Sequence, residues 1–574
     1  MSRIFRSKTR VRIPTHLSIT EATLLDNPAP ISPSKIIFEE ALSGRTISYG
    51  EFNALVKRGA AWLRQDLALK PGQVVSVISS SCIDYVIAVH SVWWAGGVVS
   101  LINDSLSATE IAYGIQLVKP DYIVVGSSAS AKLAKSLSLS GPASSDIKII
   151  ALVESHSQWP SWPRLDVGGN LHEIEAHSFA NGDNRQVPAA IILSSGTTGH
   201  PKAVVLSHYN LIAVNYQLRA DNPDNWRSDM REVFFPPLSH VYALYVAITG
   251  APWLGYYVCL MPRFELETYC RLLSERKATL ARLVPPVAKM LAESPVTRRY
   301  TYPALEYFTC SAAPLSVGLL LSAVFPGVKL CQSMFLYKSI TIHYLTANAN
   351  RALAYGCTEA SGACVQSGTR DKDMPLNATG KLIANAEMRF IDSTGDDVGD
   401  GAPGEITLRG PHIMMGYLGD PKATREHILD GGWYKTGDIG YLDAQGFLFV
   451  SGRIKDIIKS NGFQVSPLEL EEILVRHPLV KEAAVQGVWS ERSATDLLRA
   501  YIVPENPLTK AGRDREEAAR SVAEFVASQV AGYKQLKGGV VFVDSLPKSP
   551  TGKLLRRLLK DIDDTGFTHP QAKL

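Results

Sequence analysis

The segment Ser194-Ser195-Gly196-Thr197-Thr198-Gly199-His200-Pro201-Lys202 gathers hydroxyls, glycines and one ammonium into a short stretch. Glycines without a Cβ let backbone N–H groups approach phosphate oxygens, and hydroxyls and a lysine add donors and charge. The spacing is not the GxxxxGK[ST] of a Walker loop. A polar turn that holds no ligand has the same composition, so context has to separate the two. Residues 189–193 read as a buried strand and 209–218 as a helix, so the loop is expected to follow a strand and precede a helix.

The elements that must position this loop follow from hydrophobic patterning. Apolar runs at 73–79, 122–126, 147–153 and 189–194 read as buried strands, with helical stretches such as 49–66 and 108–117 between them. That alternation predicts an α/β fold with a largely parallel sheet covered on both faces. From 380 to 450 the texture changes to short strands separated by turn signals, which predicts a small antiparallel or barrel-like subdomain. From 453 onward a helix (467–476), strands (483–488, 500–504, 540–543) and a second helix (514–531) predict a small mobile α+β domain. The expected domains are therefore 1–452 and 453–574. A chain of 574 residues exceeds what one core usually holds, which agrees with that division.

Composition excludes several functions. A net charge of +4, with lysines and arginines dispersed along the chain, predicts neither nucleic-acid nor membrane-surface binding. The seven cysteines are scattered and form no CxxC pair, which points to reduced thiols and to neither a disulfide framework nor a zinc site. The start, MSRIFRSKTRVRI, is basic but lacks the apolar core of a signal peptide. The apolar run 86–103 is interrupted by His90 and Gly96-Gly97, and reads as a buried helix turning into a strand, with no membrane span.

The segment SSGTTGHPKAV resembles the phosphate loop of the adenylate-forming (AMP-binding) superfamily of acyl-CoA synthetases, luciferases and peptide-synthetase adenylation domains. The resemblance runs from residue 4 to about 557, and the opening IFRSK…IPTHL is similar to 4-coumarate–CoA ligases. Ala203 departs from the family's usual glycine. The resemblance implies an ATP site formed by Ser194, Ser195, Gly196, Thr197, Thr198, Gly199 and Lys202, with Gln332 and Tyr355 in its adenine wall. In Tyr355-Gly356-Cys357-Thr358-Glu359, Thr358 would bind phosphate and Glu359 would hold Mg²⁺, a hard ion that wants oxygen donors. In Tyr434-Lys435-Thr436-Gly437-Asp438, Asp438 would accept from both ribose hydroxyls. In Ser451-Gly452-Arg453-Ile454-Lys455-Asp456, Arg453 would reach ribose and phosphate and Lys455 would be the hinge. Lys459, Gly462 and Gln464 would serve the thioester step. In the terminal Ser549-Pro550-Thr551-Gly552-Lys553, Lys553 would bridge the attacking carboxylate and the α-phosphate.

The implied activity is that of an ATP-dependent acid–thiol ligase, an AMP-forming acyl-CoA synthetase joining a small carboxylic acid to coenzyme A. The segment 236–242 matches the family's gate. His240 reads as a pocket lid or as a core histidine, and Tyr242 as a wall of the acyl pocket together with Ser311 and Ala312. Ser311 stands where the family usually has glycine and would narrow that pocket. Aromatic and medium-chain acids both remain open. Other readings are an adenylating enzyme that loads a separate carrier protein, a luciferase-like oxygenase, and a non-catalytic relative.

Two features stand apart. In the family, a strand ending in glutamine is followed almost at once by Tyr-Gly-x-Thr-Glu, yet here residues 333–354 separate Gln332 from Tyr355. This segment is neither turn-rich nor charged, so it makes a poor surface loop. It reads as an insertion packed outside the site or as a retained intron translated in frame, since its codons can contain fungal-type splice signals; on that ground the source reads as fungal. The end, Ala572-Lys573-Leu574, resembles the Ser-Lys-Leu address read by the peroxisomal import receptor. It predicts a peroxisomal location, or a cytoplasmic one where the signal is not read.

Overall fold

The structure is a computed structural model that describes residues 3–562, apart from 142–145, 153–158, 163–172, 180–181, 195–200, 284, 311–323, 333–353, 367–373, 376–377, 400, 457, 461–462, 491–494, 507–512 and 549–553. Two seven-stranded sheets, each mostly parallel, carry the large N-terminal domain. In the first, Val74–Ile78, Val98–Leu101, Tyr122–Val125 and Lys148–Ala151 run parallel with Pro188–Ser194, as the apolar runs predicted. The second is built around Arg231–Phe234, Leu280–Leu283, Tyr307–Cys310 and Lys329–Gln332, also parallel. Helices such as Tyr49–Gln65, Ile83–Trp94 and His208–Asp221 supply the covering layers. Several begin on capping boxes: Ser48 with Glu51, Ser107 with Glu110, Ser207 with Asn210. Each satisfies two backbone N–H groups that a helix start leaves open.

The antiparallel section is a six-stranded sheet that includes Glu387–Ile391, Gly404–Arg409, Trp433–Leu442 and Leu448–Arg453. Its edge is completed by Phe5–Arg6 from the chain's start, a pairing the patterning did not predict. The small C-terminal domain pairs Val480–Ser490 with Thr495–Pro504 and the latter with Val540–Phe542, against helices Pro467–Leu474 and Arg513–Ala527. It buries its own apolar cluster, including Val465, Leu470, Val485, Ile502 and Val522. The run 86–103 is helix Ile83–Trp94 followed by strand Val98–Leu101, and among the described residues no helix is long and apolar enough to cross a membrane.

Candidate functional site

The glycine- and threonine-rich segment joins two paired strands. Pro188–Ser194 pairs antiparallel with Lys202–Ser207, and Ser194 lies opposite Lys202. The loop follows a strand and precedes a helix as expected, with an element between them that the patterning did not predict. A strand intervenes, and the helix starts only at His208, where Ser207 accepts from the Asn210 backbone and Asn210 caps back. The hairpin wins because Val204 and Leu206 alternate with the half-buried Val205 on the sheet, a period of two that a helix would not bury. Residues 195–200, and with them Ser195, Gly196, Thr197, Thr198 and Gly199, lie outside the described residues. Ser194 is buried, and Ala203 fills the glycine position at 1% exposure.

Lys202 and Glu359 are brought to one place by a residue that motif reading missed. The Lys202 ammonium lies 4.7 Å from the centre of the Tyr417 ring, a cation–π contact. The Tyr417 hydroxyl donates to Glu359 Oε1 at 3.2 Å. Tyr417 is delivered by strand Gly416–Tyr417, which pairs with Val204 and Val205 of the hairpin. Burial, then the Glu359 charge, push the Tyr417 phenol far above its usual pKa, so it stays a neutral donor. The turn carrying Thr358 and Glu359 is tied to the same region: Met414 N–H donates to the Glu359 carbonyl, and Ser361 Oγ to the His412 carbonyl. Thr358 and Glu359 are both half-buried. Among the described residues no ion pair joins Lys202 to Glu359, so one tyrosine keeps an ammonium and a carboxylate close without letting them neutralise each other. The dipeptide Gly416-Tyr417 carries no signal of this role in the sequence; only the pairing with the hairpin exposes it.

A second group lies at Asp438. It sits inside Trp433–Leu442, opposite Arg453 of Leu448–Arg453. Arg453 Nε approaches Asp438 Oδ1 at 3.3 Å. Tyr355 donates its hydroxyl to Asp438 Oδ2 at 2.6 Å, a short charge-assisted bond. Asp438 and Tyr355 are almost fully buried, at 2% and 1% exposure, while the Arg453 side chain keeps 18%. Three of the sequence's separate motifs thus meet on one carboxylate. Its backbone is fixed as well, since Asp438 N–H donates to Thr436 Oγ1 and Gly437 N–H to Glu405.

His240 is exposed and caps the short helix Val241–Ala243, its Nδ1 accepting from Tyr242 N–H at 3.2 Å. This excludes the core-histidine reading. Tyr242 is buried, and its hydroxyl accepts from Arg282 Nη1 at 3.1 Å. The Tyr245 ring lies against Gly362, where an added Cβ would stand 2.4 Å from the ring edge, and Gly362 has φ +106°. Only glycine tolerates both constraints, so the gate segment packs directly on the turn that follows Glu359.

Ser311, Ala312, Gly462 and Lys553 lie outside the described residues. Gln332 ends the strand Lys329–Gln332 opposite Cys310, whereas Tyr355 ends the strand Ala354–Tyr355 of a different, antiparallel sheet, paired with Val365–Gln366. Lys455 falls in the short helix Ile454–Asp456. Lys459 and Gln464 are cross-strand partners in the hairpin Ile458–Ser460 and Phe463–Val465, so the register puts these two positions on one face.

Comparison with known proteins agrees with this geometry. Residues 26–418 match the AMP-binding enzyme family and residues 469–553 its C-terminal domain. The chain is 32% identical over 527 residues to 4-coumarate–CoA ligase-like 9 of Arabidopsis thaliana, spanning 91% of this chain and 85% of that protein. It is 29% identical over 566 residues to 4-coumarate–CoA ligase 1 of Petroselinum crispum, spanning 97% and 96%. The fold matches ATP-bound MatB from Rhodopseudomonas palustris with a TM-score of 0.78 at 24% identity, covering 95% of this chain and 99% of that one. It matches a benzoate CoA ligase from Burkholderia xenovorans with a TM-score of 0.76 at 22% identity, again covering 95% and 99%. These matches identify a family and leave the fungal origin read from the splice-like codons without support. The chain belongs to the AMP-binding enzyme family, with the two-part architecture of the adenylate-forming acyl-CoA ligases.

Proposed function

We propose that this protein activates a carboxylic acid with ATP and transfers the acyl group to coenzyme A. The observation that carries the reading is the meeting of Tyr355, Asp438 and Arg453 on one buried carboxylate, with the Lys202–Tyr417–Glu359 cluster built on the same hairpin and turn. In the first step a carboxylate oxygen attacks the α-phosphorus, the bond to the bridging oxygen breaks, and pyrophosphate leaves. In the second, the thiol attacks the acyl carbon and AMP leaves with the bonding electrons.

The protein's part is positioning and charge. Asp438, aligned by Tyr355, accepts from the ribose hydroxyls, and Arg453 lies beside it for ribose and phosphate. Lys202, Thr358 and the hydroxyls and backbone amides of 194–199 receive the phosphates, and Lys553 bridges the reacting anions. Gln332 and Tyr355 wall the adenine. Lys455 is the hinge that brings Lys459, Gly462 and Gln464 to the thioester step, while His240 covers the acyl pocket. Glu359 fits a magnesium ion arriving with the nucleotide, because it offers a half-buried hard oxygen donor with one oxygen already oriented by Tyr417. Such an ion supplies neutralisation of phosphate charge. The acid is aromatic or medium-chain, and the resemblance to 4-coumarate–CoA ligases supports the aromatic class.

The test measures acid-dependent pyrophosphate release with and without coenzyme A across an acid panel, followed by identification of the thioester. Both the full chain and a protein lacking residues 333–354 save one junction residue are assayed, because that segment separates the two adenine-wall residues. Adenylate formed without a coenzyme A thioester would favour a carrier-protein acceptor; no pyrophosphate from either protein would leave a non-catalytic relative. We assign the protein to the peroxisome through Ala572-Lys573-Leu574. Deleting these residues is expected to move a tagged chain to the cytosol, and an intact chain already found in the cytosol would defeat the assignment.

A further inference from the structure

Arg282 is a cation in the middle of a sheet. It lies on Leu280–Leu283, between Arg231–Phe234 and Tyr307–Cys310. Glu232 is opposite Leu280 in the parallel register, so Arg282, two residues further on, reaches it diagonally. Arg282 Nε donates to Glu232 Oε2 at 2.6 Å, and the two side chains are 9% and 0% exposed. Its Nη1 donates to Tyr242 at 3.1 Å. The guanidinium carbon lies 5.6 Å from the Tyr242 ring and 5.8 Å from the Trp226 ring. Trp226 packs on Tyr245, with centroids 6.3 Å apart, and its indole N–H approaches Gln366 Oε1 at 3.5 Å. Tyr245 in turn lies on Gly362. The arginine is therefore roofed by an aromatic cluster that runs from the gate segment to the turn after Glu359.

A pair this deep is a poor choice for stability alone, since replacing both partners by apolar residues is often neutral or stabilising. The guanidinium is also incompletely used. Nε and Nη1 are bonded, and among the described residues Nη2 has no partner, although the side chain keeps some accessible surface. A planar fork with one free arm is a directed donor beside apolar walls.

We propose that Arg282 is a specificity-determining donor of the acyl site, selecting acids whose tail carries a neutral oxygen acceptor (ether, keto or hydroxyl) over hydrocarbon tails of the same size. The inference rests on the acyl-activating reading above. A second carboxylate on the tail is disfavoured, because Glu232 already balances the arginine and a further negative charge there would be buried without compensation.

The experiment compares kcat/KM for acid-dependent pyrophosphate release within two matched pairs: a phenylpropenoic acid with and without a para-methoxy group, and a medium-chain acid with and without a keto oxygen near its end. The wild-type chain is expected to favour the oxygenated member by about ten- to a hundredfold, the range of a hydrogen bond from a charged donor. In the double variant Glu232→Leu/Arg282→Met, which leaves no unpaired charge, the ratio should fall to near one, with calorimetry showing that the protein is folded. Arg282→Lys keeps a charge for Glu232 but has no second arm, and should lower the ratio by at least about fivefold. A wild-type ratio near one, or a ratio unchanged in the double variant, overturns the inference. Should the double variant not fold, an unchanged ratio in Arg282→Lys overturns it alone. Absence of pyrophosphate release by the wild-type chain with every acid would instead defeat the parent reading, and this inference with it.

Discussion

Asp438–Arg453 and Glu232–Arg282 are the same chemical pair placed in two different settings. Both join strands of one sheet, the first directly across an antiparallel register and the second diagonally across a parallel one. Asp438 has a third partner, Tyr355, and its arginine keeps 18% exposure; Glu232 is fully buried and its arginine nearly so. The first pair stays partly open to solvent, at the last strand before the small domain, where a polar ligand can exchange with its partners. The second is roofed by aromatic rings and nearly buried, and one guanidinium arm is left over. The difference teaches that the charge of a buried pair says little about its role, which is set by how many of its donors and acceptors remain unspent.

The sharpest way to break this comparison is to unpair one carboxylate. Glu232→Ala should destabilise the large domain by about 3–5 kcal/mol, because Arg282 is left charged and buried. The Glu232→Leu/Arg282→Met double variant should recover most of that loss. Arg453→Ala should cost clearly less, since Asp438 keeps Tyr355 and Arg453 is partly exposed. Thermal midpoints of the variants decide, and equal losses in Glu232→Ala and the double variant would contradict the argument.

Acid probes the same domain through its buried histidines. Burial holds His208 and His412 at about 3 and His90 at about 4. His208 accepts from Ile19 N–H, and His412 shares a contact with Gln217. Their folded pKa values are depressed below an unfolded value near 6.5, so the unfolded chain binds the extra protons. Their contribution is complete above about pH 6.5 and is lost as the pH falls towards the folded values. With three such groups the loss should approach about 4 kcal/mol per pH unit below about pH 6. Denaturant melts at stepped pH measure it, and the slope should shrink by about a third in a variant that removes one histidine without unfolding the chain.

Two smaller changes test the contacts that flank the comparison. Gly362→Ala places a methyl 2.4 Å from the Tyr245 ring on a backbone with φ +106°. A destabilisation of about 2–4 kcal/mol is expected, and a double-mutant cycle with Tyr245→Ala should show strong coupling. Additive losses would show that the ring does not press on the turn. Tyr355→Phe removes the 2.6 Å bond to Asp438. It should cost about 1.5–3 kcal/mol, read as weaker binding of AMP by calorimetry, with His240→Ala as a control that leaves AMP affinity unaffected.

Much of this was legible from residue order. Alternating apolar runs marked the parallel strands because a strand buried on both faces must be apolar throughout. The segment around Lys202 stood out by residue type, whereas Glu359, Asp438 and Arg453 were legible only through the resemblance to the adenylate-forming superfamily. What was not legible lacked a local signal or had one with two solutions. Residues 203–207 carry no local mark of a strand, since only pairing with Pro188–Ser194 makes them one, and His240 reads locally either as lid or as core.

What the sequence by itself determined is the class of fold, through hydrophobic patterning, and, through its motifs' resemblance to a known superfamily, the set of groups able to handle a nucleotide. Tertiary structure alone decided which of these groups share partners. Tyr355 and Asp438 are 83 residues apart and Arg282 and Tyr242 are 40 apart, yet each pair is in hydrogen-bond contact. Tyr417 reaches Glu359 only because its short strand pairs with the hairpin that carries Lys202. Such contacts depend on sheet order and register, which are set by the burial of whole faces and by long-range pairing, and no window of residues along the chain contains that information.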